Sequence, residues 1–84
     1  MKHADAAALD KLEDLLLEIR RLPDLKERSR GVFYLRSKSF LHFHDDPAGL
    51  FADVRRGEDF ERFKVTSSAE RSLFLRIVRA ELKV

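Results

Sequence analysis

Eighty-four residues leave room for one hydrophobic core, since a chain shorter than about 100 residues does not divide into two. Hydrophobic residues at 44% and charged residues at 38% describe a folded domain with a modest core and a heavily charged surface, which argues against a disordered tail. No cysteine is present, so disulfide frameworks and thiolate metal sites are excluded, and a metal would have to use histidine, carboxylate or carbonyl ligands. The net charge of +2, from 17 basic against 15 acidic residues, permits a polyanion partner without calling for one.

The opening stretch MKHADAAALDKLEDLLLEIRRL is interrupted by charge every two or three residues and has no apolar run of signal-peptide length. The expectation is a cytoplasmic protein with no membrane segment. Leu9, Leu12, Leu15, Leu16, Ile19 and Leu22 keep to one stripe at a 3.6 period, with Asp10, Asp14, Glu18 and Arg21 on the other side. This predicts an amphipathic helix over residues 5–22, stopped by Pro23. Leu17 falls off the stripe, and DLKERSR after the helix reads as a polar connector.

From Gly31 the texture changes to short β-type runs, GVFYLR, FLHFH, LFADVR and FERFKV, separated by SKS, DDPAG and RGED. Pro47 with Gly49, and Gly57 with Asp59, supply turn chemistry for two of the breaks. Ser67 followed by Glu70 is a capping box that opens a helix through Leu82. Leu73, Phe74, Ile77, Val78 and Ala80 are its expected buried side, and Ser72, Arg76, Arg79 and Lys83 form a basic, solvated stripe. The fold class is therefore α+β: a single domain over residues 1–84, in which a four-stranded antiparallel meander is flanked by an N-terminal and a C-terminal helix, α-β-β-β-β-α.

Side chains alternate faces along a strand, and a one-residue slip would turn a whole strand over, so register follows from matching apolar residues. A three-residue turn at 37–39 pairs Leu35 with Leu41 and Phe33 with Phe43. The next hairpin, turning over residues 45–50, sets Phe43 opposite Ala52 and Leu41 opposite Val54. The RGED turn then sets Ala52 opposite Phe63. Phe33, Leu35, Leu41, Phe43, Ala52, Val54 and Phe63 make the core face, with Glu61 as the one misfit near the edge.

The opposite face falls into three rows across the strands: Tyr34, His42, Asp53, Arg62; then Arg36, Phe40, Arg55, Phe60; then Val32, His44, Phe51, Lys64. Asp53 stands between a histidine and an arginine, and the second row alternates cation with ring, which favours cation–π contact. A polar ladder of this kind is common on a solvated sheet, where each pair contributes only about 0.2 to 1 kcal/mol. Phe40, Phe51 and Phe60 are less easily left open, because an exposed apolar patch of that size is generally covered. A homo-oligomer formed sheet to sheet through this face is the leading expectation, making the protein a non-catalytic interaction or binding module.

Two other readings use the same face. His42 and His44, two apart on a strand, can aim two imidazoles at one divalent metal, with Asp53, Asp45 or Asp46 as the third ligand. Acid/base hydrolysis could use His42 oriented by Asp53 with Tyr34 as a proton donor, but no nucleophile accompanies them. The arginines among phenylalanines are also the ingredients of a platform for single-stranded nucleic acid, although Asp53, Glu58 and Asp59 lie close by and the usual aromatic signature is missing. The candidate binding residues are thus Tyr34, Arg36, Phe40, His42, His44, Phe51, Asp53, Arg55, Phe60 and Arg62.

GVFYLRSKSFLHFHDDPAGLFADVR followed by FERFKVTSSAER resembles a group of short, uncharacterised bacterial proteins, over residues 22–82. The strand ending in HFHD before a Gly-Leu strand is loosely similar to small luciferase-type domains of unknown function. What the resemblance implies is a stand-alone bacterial domain; it brings no activity, ligand or site residue with it.

Overall fold

The structure, a computed structural model, describes residues 2–84. Its elements in chain order are β1 (Lys2–His3), α1 (Ala6–Lys11), α2 (Glu13–Arg20), β2 (Leu25–Ser29), β3 (Val32–Leu35), β4 (Lys38–Asp46), β5 (Gly49–Arg56), β6 (Asp59–Lys64) and α3 (Ser68–Leu82). The fold is α+β with an antiparallel sheet, and helices precede and follow its meander, as the patterning predicts. Among the described residues no helix is long and apolar enough to cross a membrane.

Asp5 caps the first helix by accepting a hydrogen bond from the Ala8 amide at 3.0 Å. The predicted single helix is two: the ladder breaks at Leu12, which takes φ −104° and ψ 8°, and resumes at Glu13. The apolar stripe runs through the break, since Leu9, Leu12, Leu15, Leu16 and Ile19 are all buried. The last helix opens on the reciprocal Ser67–Glu70 capping box. Its buried residues are Phe74, Leu75 and Val78, whereas Leu73 is 55% exposed and Ala80 is also exposed. The buried side lies about one residue round from the expected stripe, a difference that the run Leu73-Phe74-Leu75 leaves undetermined by periodicity alone.

The sheet order is β2-β3-β4-β5-β6, one strand more than the four-stranded meander, and β1 pairs separately with β4. The extra strand β2 is the stretch that reads as a polar connector. Its sequence LKERS has one apolar residue, yet it pairs with β3 from Leu25↔Leu35 to Ser29↔Val32. A charged, short edge strand of this composition resists edge-to-edge pairing with other chains. Gly31 makes the tight return to β3, with φ at +80° and no room for a Cβ, which would lie 2.7 Å from Leu9 Cδ2.

From β4 to β6 the register is the predicted one: Leu41↔Val54, His42↔Asp53, Phe43↔Ala52, then Ala52↔Phe63 and Asp53↔Arg62. Glu61 pairs with Val54 on the last strand, where it is exposed and receives Arg56 Nη1 at 2.8 Å. Between β3 and β4 the register differs by two residues at Phe33 and by three beyond the bulge, at Leu35. Phe33 pairs with Leu41 and Leu35 with Lys38 through a two-residue turn, Arg36-Ser37, with φ of 51° and 75°. Such a turn is ordinarily signalled by Asn or Gly, and neither is here. Tyr34 then faces Ser39, and the step from Phe33↔Leu41 to Tyr34↔Ser39 leaves Phe40 as an extra residue in a β-bulge.

The bulge removes Phe40 from the outer face: it is 3% exposed and part of the core cluster with Phe33, Leu41, Phe43, Ala52, Val54, Phe74 and Val78. The two-residue shift has a second effect. The pairing of β3 ends at Leu41, so the edge of β4 beside His44 is free for another strand, and β1 takes it, with His3↔His44 and Lys2↔Asp45.

Candidate metal centre

Three histidines meet at this edge, each carried by its own strand position. His42 and His44 are two apart on β4 and therefore on one face. His3 is set directly opposite His44 by β1, whose position is extended by the Ala4 amide donating to the Phe43 carbonyl at 3.1 Å. One ring nitrogen from each of His3, His42 and His44 lies within 4.8 Å of the other two. The His3 and His44 rings lie 5.1 Å apart, tilted by 32°, and the His42 and His44 rings meet edge-on at 4.9 Å.

Behind the rings stands Asp53, 6% exposed on β5. Its Oδ2 is 3.0 Å from His44 Nε2 and 3.9 Å from His42 Nδ1, and His42 Nδ1 is 3.1 Å from His44 Nε2. Arg62 on β6 grips the carboxylate with two parallel bonds, Nε to Oδ1 at 2.8 Å and Nη2 to Oδ2 at 3.0 Å. The side chain of Asp53 is thereby fixed in orientation before any ligand arrives.

The hydrogen-bond inventory at this point is short of protons. A neutral imidazole has one N–H, so if His44 Nε2 donates to Asp53 Oδ2, His42 Nδ1 can only accept from that same proton. In the other tautomer, with the His44 proton on Nδ1, two imidazole lone pairs and a carboxylate oxygen converge on one small volume. Burial lowers the pKa of His42; Asp53 opposes this, while His44, His3 and Arg62 add to it. His42 is accordingly neutral at neutral pH, the form that ligates a metal. For Asp53 burial acts to raise the pKa, but the Arg62 hydrogen bond and charge and the two imidazoles together hold it below the ordinary carboxylate range.

The remaining candidates distribute differently from the three predicted rows. His42, Asp53 and Arg62 form one row as expected, and His44, Phe51 and Lys64 another. Arg55 lies over the Phe60 ring at 4.6 Å, and Phe60 packs 4.9 Å from the His42 ring, so Phe60 walls the imidazole cluster on one side. Tyr34 is absent from the cluster, pairing with Ser39 and lying under the Arg28 guanidinium at 4.7 Å. Arg36 sits in the turn and Phe40 in the core. Asp45 and Asp46 lie beyond His44 along β4, bordering with Lys2 and Pro47 an open hollow of about 440 Å³.

Sequence reasoning placed His42, His44 and Asp53 together and missed His3. The signal that could have found it is the leading KHA before the first helix cap, a histidine in a stretch too short to read as a strand. Compared with family models, with curated proteins and with solved structures, the chain matches none of them.

Proposed function

We propose that this domain binds a divalent transition-metal ion through His3, His42, His44 and Asp53, as a structural or storage-type site and not a catalytic one. One observation carries the reading. Ligand atoms around a tetrahedral ion at 2.0–2.1 Å lie about 3.3 Å from one another. His42 Nδ1, His44 Nε2 and Asp53 Oδ2 form a triangle with sides of 3.1, 3.0 and 3.9 Å, close to one face of that tetrahedron, and His3, His42 and His44 each bring a ring nitrogen within 4.8 Å of the other two. Three imidazoles and a carboxylate suit zinc, nickel, copper or cobalt over magnesium or calcium.

The three imidazoles with Asp53 as a fourth ligand would close the coordination sphere, which favours binding over hydrolysis, since a catalytic centre keeps a position for water. The reading also agrees with the missing nucleophile. Self-association through this face draws less support, since it rests on three phenylalanines and Phe40 lies in the core, leaving Phe60 at 38% exposure as the open apolar ring. For single-stranded nucleic acid, Phe40 lies in the core and Arg62 directs its guanidinium to Asp53, so the platform loses a stacking ring and a cation. The test is histidine-ring NMR on tag-free protein: one equivalent of zinc should shift the ring nitrogens of all three histidines together, and shifts confined to one exposed ring would overturn the assignment.

A further inference from the structure

Towards the other end of β4 the β3–β4 turn and the bulge enclose a second cavity, of about 230 Å³, lined by Leu35, Arg36, Lys38, Ser39, Phe40 and Arg55. Half of these residues are cationic and none is acidic. By contrast, Arg20, Arg30, Arg56, Arg62 and Arg71 each have a carboxylate within 3.3 Å. Among the described residues Arg36 and Lys38 make no ion pair. Arg55 donates to two neutral acceptors, the Ser39 carbonyl at 2.7 Å and the Glu58 carbonyl at 3.1 Å, which fix the guanidinium without cancelling its charge.

The backbone around the cavity departs from regular geometry at three successive places. Arg36 and Ser37 both take the left-handed conformation, where a side chain is strained, and the bulge at Phe40 turns its ring inward as the apolar floor. The left-handed pair is what a two-residue hairpin turn requires, and together with the bulge it sets these side chains around the cavity. The cavity would hold about seven or eight waters, at about 30 Å³ each in the liquid, which is room for a ligand of roughly ten heavy atoms.

We infer that this cavity binds a small organic carboxylate with an apolar body, its head group against Arg36, Lys38 and the Ser39 hydroxyl and its body over Phe40 and Leu35. Arginine suits the head because its planar fork matches a carboxylate. The site is independent of the metal reading, since none of its lining residues is a proposed metal ligand.

Phenylacetate is a probe of the right size and charge, and phenylacetamide is its neutral counterpart. The expected result of an amide-resolved NMR titration is saturable shifts for the acid, centred on residues 35–40 and 55, in the millimolar range suited to so small a ligand. The amide should bind at least about tenfold more weakly, as should the acid to the Arg36→Gln/Lys38→Gln variant, whose replaced side chains are exposed and outside the core. Equal shifts by acid and amide would overturn the assignment, as would shifts scattered over other basic residues such as Lys26 and Arg76, or no saturation by the acid. Unchanged binding to the double variant would overturn it too, with retained amide dispersion showing that the variant is folded.

Discussion

His44 bonds Asp53 diagonally: the strand partner of Asp53 is His42, yet the 3.0 Å contact runs to His44 Nε2, two pairs further along β4. A diagonal neighbour across a sheet is within reach of a long or aromatic side chain, and here it brings both imidazoles over one carboxylate oxygen. Asp53→Asn preserves shape and removes charge. We expect it to weaken zinc binding by at least about 10-fold, since it removes a proposed ligand that also orients His44. The urea midpoint without metal should fall modestly at neutral pH, since the variant gives up the ion pair with Arg62, whose side chain is half exposed. Competition against a chelating dye, with urea titrations in parallel, separates the two effects.

The first strand should respond to metal more than any other element. β1 is two residues long, its side chains are exposed, and it is tied to β4 by little more than its short ladder. An ion shared by His3 and His44 would tether it across the strand pair. Zinc is expected to slow hydrogen exchange at the Ala4 amide markedly, with little change at core amides such as Val54, and His3→Ala should abolish the slowing while leaving the fold intact.

Acid should destabilise the metal-free protein in two stages. Burial holds the pKa of His42 below the ordinary imidazole value, so the folded chain binds that proton less well than the unfolded chain. Its contribution is complete above the unfolded value of about 6.5 and declines as pH falls from there towards the folded pKa. Glu27 is lowered by the Arg20 hydrogen bond and Asp53 by Arg62 acting against burial, so their contributions are present above about pH 4 and are lost as pH falls further. Urea midpoints measured across this range should show both declines, and His42→Gln should remove the upper one alone.

Phe40 and Phe60 make a contrast that a sequence reading treats as one patch. Phe40→Ala should cost about 3 to 5 kcal/mol, as for other buried phenylalanines, and Phe40→Asp should unfold the domain. Phe60→Asp, at an exposed position, should leave the thermal midpoint within a few degrees of the parent. Circular dichroism melts check both. Light scattering on Phe60→Asp is then the informative test of self-association, because a loss of mass with Phe40→Asp would follow from unfolding.

The fold class, the register from β4 to β6 and the Asp53 position were legible because alternation over FLHFH, LFADVR and FERFKV admits one apolar match, and the intervening turns contain Pro or Gly. The β3–β4 turn was not, since Arg36 and Ser37 carry no mark of a left-handed turn and a bulge cannot be read from alternation. β2 was hidden by its charge, which protects an edge strand and makes it look like a loop. His3 was hidden for a different reason. A two-residue strand has no period, and its place beside His44 exists only because β3 stops pairing at Leu41.

The most direct test of the metal centre is isothermal titration of zinc into tag-free protein at neutral pH and moderate salt, repeated with His44→Ala. The expected result is one ion per chain for the parent and at least about a tenfold loss of affinity for the variant, since His44 Nε2 lies at the point where the other donors converge. A parent isotherm without saturable binding, or one that His44→Ala leaves unchanged, would contradict the account.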